Sequence, residues 1–331
     1  MTPPVVPPIK CQGIKTKIVR AIRSLYPKNA GGRWIEPFCG SCVVAFNVRP
    51  ERALLCDSNG HIIRFYADIQ TGAVTGSMVK EYLAEQGARL RRQGEDVYYE
   101  IRDNFNREPT SLAFLFLNRA CFNGVMRFNR KGRFNVPFCR KPERFAQAYI
   151  TKITNQVRAC AAILRSVEWV FQESDFRHTL SAATPCDFVY ADPPYAGRHV
   201  DYYSSWSEDD EKDLAAMLKR LPCQFVLSTW FQNKYRTNQS VVDEWGNAGF
   251  TVNFFEHFYH VGSTEGLRNA MTEALISNFA GVLERKKKSQ LSQGSLFDVL
   301  EHAAFPSEEI ARAAEPAAAS DRGSRDGLPE T

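Results

Sequence analysis

Asp187-Phe188-Val189-Tyr190-Ala191-Asp192-Pro193-Pro194-Tyr195 is the stretch of this 331-residue chain from which the fold can be read. An apolar run of strand length ends in two prolines, so a buried strand stops at Ala191 and the chain leaves the sheet at Asp192. Each proline holds its own φ at about −65° and lacks an N–H, while the residue before a proline is kept extended. The carbonyls of Asp192 and Pro193 therefore stay available as acceptors. Open α/β sheets place their ligand sites at the carboxyl ends of strands. A carboxylate, a rigid carbonyl and an aromatic ring delivered there together suit a planar exocyclic amine, with Tyr195 stacking on the ring that bears it. Taken alone, the tetrapeptide also reads as a capped, proline-rich turn.

Working outward, the flanking sequence alternates strands and helices. A helix is expected from about Lys15 to Leu25. Arg33-Trp-Ile-Glu-Pro-Phe38 reads as a strand, Cys39-Gly40-Ser41 as a turn, and Cys42 to Asn47 as a short apolar helix. Ala53 to Cys56 is a second buried strand closed by Asp57, and His61 to Ile69 has helical spacing, which completes a βαβ opening. Further strands are expected at Val167 to Phe171, Phe188 to Ala191, Phe225 to Leu227, Phe250 to Phe255 and Ala274 to Phe279. Ser207 with Asp210 makes a capping box for a helix running to about Arg220. In the opening unit, Gly40 permits close backbone approach and Asp57 is placed to accept from ribose hydroxyls. The full G-x-G-x-x-G pyrophosphate fingerprint is missing. The shorter turn fits a cofactor with one nucleoside and no pyrophosphate, such as S-adenosylmethionine, whose adenine Asp175 and Phe176 are placed to hold.

Between the two halves lies a polar, helix-rich insertion from about 76 to 165. From Arg119 to Arg144 its basic residues are Arg119, Arg127, Arg130, Lys131, Arg133, Arg140, Lys141 and Arg144, against Glu143 alone. Phe122, Phe128, Phe134 and Phe138 are interleaved with them, as are Asn118, Asn123, Asn129 and Asn135, around a hairpin-like turn at Arg130-Lys131-Gly132-Arg133. Cations for phosphates mixed with planar groups for bases is the composition of a nucleic-acid surface.

The remaining composition mainly excludes. No apolar stretch approaches the roughly 20 residues of a membrane span, and Thr2-Pro-Pro-Val-Val-Pro-Pro8 lacks the regions of a signal peptide, so an intracellular, cytoplasmic protein is expected. Nine scattered cysteines, an odd number, read as reduced and mostly buried thiols rather than a disulfide framework. Cys39-Gly-Ser-Cys42 has metal or redox spacing without a second pair to complete a zinc site, and His257 and His260 alternate as in a strand, so no metal is expected. After Leu283 the chain turns to Ser, Gln, Ala, Glu and Pro, with one apolar island at Leu296 to Leu300, a composition that does not fold alone.

Several of these stretches occur together in one family. Lys10-Cys-Gln-Gly13-Ile-Lys15, Glu36-Pro-Phe-Cys-Gly40, Asp57, Phe116-Leu-Asn-Arg119-Ala-Cys-Phe-Asn-Gly124-Val-Met-Arg127-Phe-Asn129, Gly132-Arg-Phe-Asn-Val-Pro137-Phe and Asp192-Pro-Pro-Tyr195 follow the order of Dam-type DNA adenine-N6 methyltransferases. The chain resembles that family from about residue 8 to 283, in the alpha arrangement of amino-methyltransferases, with the cofactor turn first, recognition region second and DPPY last. The resemblance implies an α/β fold: a Rossmann-like S-adenosylmethionine-dependent sheet formed by 8–75 and 166–283, an inserted, mainly helical DNA-recognition domain at 76–165, and a disordered tail at 284–331. It implies transfer of a methyl group to N6 of an adenine flipped out of duplex DNA. Catalysis falls to Asp192, Pro193, Pro194 and Tyr195. Cys11, Lys15, Phe38, Gly40, Asp57 and Asp192 match cofactor-contacting positions, joining Asp175 and Phe176. Lys10, Phe122, Asn123, Val125, Arg127 and Pro137 match DNA-contacting ones, to which the basic and amide pattern adds Asn118, Arg119, Asn129 and Arg133. Cys42 stands where the family commonly has glycine, and Gln12-Gly-Ile14 replaces a small, glycine-rich stretch.

Other readings share parts of this pattern. A cytosine-N4 or an RNA amino-methyltransferase would use the same amine chemistry, and a catalytically decayed DNA-binding protein would keep the basic insertion. Restriction-modification enzymes of this type work beside a companion endonuclease, in a bacterial or phage setting. Gln293-Gly-Ser-Leu296-Phe297 resembles the peptides by which bacterial DNA enzymes dock on a sliding clamp, and also reads as an amphipathic turn.

Overall fold

Trp34-Ile35-Glu36 make up the whole of strand β1, and all three are buried, as a strand covered on both faces must be. In the computed structural model the described residues are 3–27, 30–129, 131–195, 206–233, 237–246, 249–258 and 270–280. The 284–331 tail with its 293–297 segment, His260 and Arg130 lie outside them. β1 is flanked by β2 (Arg52–Asp57) and β4 (Phe188–Ala191), both parallel to it. With β3 (Glu168–Glu173), β5 (Gln224–Asn233), β6 (Thr251–Phe258) and β7 (Ala270–Ser277), the sheet runs in the order β3-β2-β1-β4-β5-β7-β6. It is parallel through β5, and β7 is antiparallel to both β5 and β6. The chain winds outward from β1 to β3 and then returns to β4. That reversal opens a crevice at the carboxyl ends of β1 and β4, where such sheets bind ligands. The expected Rossmann-like sheet is present, with a reversed hairpin at one edge.

Helices α1 (Val19–Leu25), α2 (Val43–Val48) and α3 (Gly60–Thr71) serve the first half, and α8 (Phe176–Ser181), α9 (Glu208–Lys219) and α10 (Gln239–Trp245) the second. Ser207 and Asp210 form both halves of the capping box at the start of α9. The single helix expected over Lys15–Leu25 is instead a tight turn at Lys15–Lys17 followed by α1, and the break leaves Lys15 buried. β5 extends well beyond Phe225–Leu227. Its polar continuation, Ser228 and Thr229, is buried between neighbours, and a register shift follows between Trp230 and Gln232.

Between α3 and β3 come α4 (Gly76–Gln93), α5 (Asp96–Phe105), α6 (Ser111–Ala120) and α7 (Gln147–Leu164). Thr75 and Thr110 cap α4 and α6, accepting from the N–H of Met78 and Ala113. Their apolar faces share one core with the sheet: Leu55 and Phe65 belong to the same buried cluster as Leu83, Phe114, Phe138 and Val157. An irregular hairpin joins α6 to α7, bridged at Cys121–Phe138 and Phe128–Phe134. Here the interleaved phenylalanines divide. Phe128, Phe134 and Phe138 are buried in that shared core, against His61, Phe105 and Tyr98 respectively, so only Phe122 of the four is exposed, at 55%. All nine cysteines are free thiols. No helix among the described residues is long and apolar enough to cross a membrane.

Candidate active site

The β1–β4 crevice is organised around one buried ammonium. Lys15, only 3% exposed, places Nζ 2.9 Å from Oδ1 of Asp192, and donates to the Tyr195 hydroxyl at 2.8 Å and the Gly13 carbonyl at 3.1 Å. It also lies 3.9 Å from Oε1 of Glu273 on β7. The three anionic or polar partners raise the Lys15 pKa against the opposing effect of burial. Asp192 leaves the end of β4 with its side chain 20% exposed, and no hydrogen bond among the described residues engages its Oδ2. Burial pushes its pKa up to about 6, Lys15 pulls it down, and Glu273 adds a smaller upward push. Pro193 is buried, Pro194 half-buried, and the Tyr195 ring, 6% exposed, packs with Trp230 while its hydroxyl is tied to Lys15. The site thus presents one oxygen of a fixed carboxylate at a strand end, a geometry made to accept a hydrogen bond.

On the β1 and β2 side, Asp57 accepts from the backbone N–H of Gly40 and of Asn59, both at 2.9 Å. This stitches the two strand ends together. Gly40 has φ 47°, the left-handed region that glycine enters freely, and Cys11 Sγ would lie 3.8 Å from a Cβ placed there. Cys42 also sits at φ 56°, which explains why glycine would suit the position, yet its thiol is fully buried and fills the core. Beyond the turn, Phe38, Phe176 and Trp206 form an aromatic trio: Phe38 lies 5.4 Å from Phe176 and 5.5 Å from Trp206, centroid to centroid. The Trp206 indole Nε1 is buried with no hydrogen-bond partner among the described residues. A carboxylate at a strand end, a glycine turn and a packed aromatic trio with an unspent indole donor are groups of the kind that suit a nucleoside such as that of S-adenosylmethionine. Asp175 does not join them. It is exposed and its carboxylate caps α8, accepting from Arg177 N–H at 2.8 Å, and the Arg177 guanidinium pairs with Asp175 at 3.5 Å as well as with Asp210 and Asp213 on α9.

The basic hairpin places its residues unevenly. Phe122 projects from a turn in which Asn123 and Gly124 both have positive φ, 53° and 69°, and its N–H donates to the carbonyl of exposed Pro137. Lys10 is held beneath by Asn118, whose wholly buried amide accepts from Lys10 N–H at 2.8 Å and donates to the Lys10 carbonyl at 2.9 Å. A Cβ on Gly124 would collide with the Lys10 stem, so this glycine lets the lysine lie across the turn. Burial, with Arg144 and Arg119 close by, lowers the Lys10 pKa to about 8. Arg119 turns inward to Gln156 at 2.8 Å, and burial brings its pKa down to about 10. Arg127 Nε donates to Asn135 Oδ1 at 2.9 Å across the hairpin. Asn129 organises the turn by accepting from Lys131 and Arg133 N–H, the local role that asparagine commonly plays. Val125 is half-buried and Arg133 is exposed. The structure therefore gathers Lys10, Phe122, Asn123, Gly124 and Pro137 at one tip, and assigns Asn118 and Asn129 to scaffolding.

Three residues of the crevice were given no site role by the sequence, although Glu36 stands in the stretch that opens the cofactor turn. Glu36 ends β1 with its pKa pushed up to about 8 by burial, and accepts the Trp34 indole N–H at 2.7 Å. Glu273 is fully buried. Trp206 precedes α9. The signal for Glu273 was there: a lone carboxylate inside the apolar run Met271-Thr-Glu-Ala-Leu-Ile276, which is costly to bury unless paired.

Comparison with known proteins follows the same residues. The sequence model of the family described as D12 class N6 adenine-specific DNA methyltransferase matches residues 12–269. The modification methylase StsI of Streptococcus sanguinis is 28% identical over 284 residues, covering 82% of this chain but only 42% of that protein. The chain thus spans less than half the length of that relative. The retron Ec67 DNA adenine methylase of Escherichia coli is 31% identical over 219 residues, 64% of this chain and 71% of its own. The DNA adenine methylase of Serratia marcescens is 31% identical over 228 residues, 64% and 77% respectively.

Proposed function

Because this chain belongs to the D12 class of N6 adenine-specific DNA methyltransferases, we propose that the Lys15-held carboxylate of Asp192 is the group that engages the adenine amine. The observation that carries this is the asymmetry of Asp192: Oδ1 fixed by Lys15 at 2.9 Å, Oδ2 left to a ligand. The adenine N6 lone pair is delocalised into the ring and is a poor nucleophile. With its two hydrogens accepted by Asp192 and by the Pro193 carbonyl, the nitrogen pyramidalises and its lone pair turns out of the ring plane. S-adenosylmethionine supplies the activated methyl group, and Asp57, Gly40, Phe38, Phe176 and Trp206 would hold it. The protein's work is positioning and electrostatics. The amine is out of reach inside a stacked duplex, so the base is flipped into the crevice. Phe122, exposed on its strained turn, is suited to fill the space left in the stack, and Tyr195 to face the base. In this reading 76–165 is the recognition region and the remainder of 8–283 the catalytic one.

The test is transfer of a tritiated methyl group to adenine-containing and adenine-free duplexes, followed by sequencing of methylated positions. Label on N6 of adenine alone is expected. Label on cytosine, or on RNA in preference to duplex DNA, would replace this reading with its rivals. The 293–297 segment is proposed to dock on a bacterial sliding clamp. A peptide of residues 289–301 titrated against the clamp should show saturable binding that disappears when Leu296 and Phe297 become alanine.

A further inference from the structure

Glu273 is a fully buried carboxylate that reaches into the crevice. It sits in the middle of β7, opposite Trp230 of β5 and Phe255 of β6, is 0% exposed, and points an oxygen to within 3.9 Å of Lys15 Nζ. Burying an ionised carboxylate costs several kcal/mol unless it is paired. Lys15 is the cation at hand, and that same cation already holds Asp192 and Tyr195. We propose that Glu273 is a positioning residue that acts through Lys15: it anchors the ammonium from β7 and offsets its charge, so that Lys15 orients Asp192 without cancelling the negative charge Asp192 presents to the amine. This rests on the reading of Asp192 given above and deepens it.

The physical need is a conflict between geometry and charge. A carboxylate that must grip an amine has to be immobile, and a buried lysine immobilises it well. An unopposed ammonium at 2.9 Å would also neutralise it, at the point where positive charge develops on the amine nitrogen as the methyl group arrives. A second carboxylate beside the ammonium leaves the trio Lys15, Asp192 and Glu273 with a net negative charge. The hydrogen bond to Asp192 then supplies orientation while its attraction for a forming cation persists. Among the described residues, the other ionisable groups whose charges bear on Asp192 or Lys15 are Tyr195, Tyr190, Glu36 and Cys11. Burial holds all four towards their uncharged forms. Among the described residues, Glu273 is therefore the charge beside Asp192 that is placed to balance Lys15.

The experiment is a carbon-13 NMR titration of the Asp192 carboxyl in the cofactor-free protein, for wild type, Glu273→Gln, Lys15→Met and the double variant. Single-turnover methyl transfer and thermal melting are followed in parallel. Glu273→Gln is nearly isosteric and should melt within a few degrees of wild type. It should shift the Asp192 titration to lower pH, because a like charge has gone, and slow methyl transfer by roughly 10-fold, less than loss of a direct partner. Lys15→Met should shift the titration upward, and in its background Glu273→Gln should no longer slow transfer. An Asp192 titration unmoved by Glu273→Gln, or a Glu273→Gln rate within about twofold of wild type, overturns the proposal. So does an equal slowing with and without Lys15, which would make Glu273 merely structural. If Lys15→Met does not fold, the titration and rate of Glu273→Gln alone decide. Failure of the underlying reading looks different: Asp192→Asn would then transfer methyl groups at near wild-type rate, whatever the titrations show.

Discussion

Asp192 and Lys10 are two titratable residues whose surroundings give the enzyme a pH profile that can be forecast. Burial lifts the Asp192 carboxyl to about 6, so its accepting, ionised form is lost as pH falls through that value. Methyl transfer at saturating substrates should therefore decline below about pH 6, and Asp192→Ala should lower the single-turnover rate by at least about 100-fold, the scale of removing one preorganised partner. Lys10 titrates on the other side. Its pKa of about 8 reflects burial and the two arginines nearby, and a phosphate or base acceptor would favour its charged form. Affinity for duplex DNA should weaken as pH rises above about 8, and Lys10→Arg should flatten that dependence in binding titrations, because arginine stays charged. An unchanged slope in Lys10→Arg would place Lys10 outside the interface. Asp192 and Asp57 were legible from sequence because each closes a strand, and Lys15 because it lies in the Lys10–Lys15 stretch of the family resemblance. The apolar run around Glu273 signalled a buried carboxylate but not its partner, since only the reversed β6–β7 hairpin carries it to Lys15.

At the scale of elements, the strand that delivers Asp192 is itself fixed by a carboxylate at its opposite end. Asp187, 3% exposed, precedes β4 and accepts from Arg33 N–H at 2.7 Å, from the Arg33 guanidinium at 2.9 Å and from the Thr184 N–H and hydroxyl, both at 2.9 Å. Arg33 leads into β1, so the clamp sets the relative height of the two strands that flank the crevice. These bonds favour the ionised form and depress the Asp187 pKa from 3.8 to about 2, although burial alone would raise it. A depressed carboxylate contributes stability that is present above its unfolded pKa and lost as pH falls through the folded one. Asp187 should thus contribute about 2 kcal/mol near neutrality, disappearing between about pH 4 and pH 2. Asp187→Asn should lower stability in urea melts at pH 7 and flatten its acid dependence over that window. Equal acid sensitivity in wild type and variant would contradict the assignment. The element pattern was readable because the parallel strands are short, apolar and bounded by turns. The long β5 was not, since its second half carries polar residues whose burial depends on β7. The hairpin phenylalanines were misjudged for a related reason. Alternation with arginine looked like a binding surface, whereas Phe128, Phe134 and Phe138 anchor the hairpin to the main core and leave Phe122 exposed.

Over the whole molecule, a net charge of only +5 conceals a basic hairpin that carries eight cations between Arg119 and Arg144. The structure divides those charges by role, which the sequence alone did not. Arg119 and Arg144 turn inward, with Arg144 donating to the carbonyls of Arg119 and Cys121. Lys131, Arg133, Arg140 and Lys141 are exposed. Arg127 lies between these groups, half-buried, its guanidinium oriented by Asn135 beside the turn that bears Phe122. A guanidinium fixed in that way is suited to bidentate contact with a base edge, and an exposed lysine to phosphate. Arg127→Ala should cost about 1–3 kcal/mol on the cognate duplex and little on random sequence, narrowing the gap between them. Lys141→Ala should weaken binding to both duplexes alike and reduce the dependence of log affinity on log salt by about one counterion. Asn135→Ala provides the control that separates orientation from charge. It leaves Arg127 cationic but removes its Nε bond to Asn135 Oδ1, so it should reproduce part of the loss of discrimination while keeping the salt dependence of wild type. Binding isotherms for the three variants on cognate and random duplexes, across a salt series, decide the matter. Equal losses on both duplexes for Arg127→Ala would make Arg127 another phosphate contact and move the reading of sequence elsewhere on the hairpin.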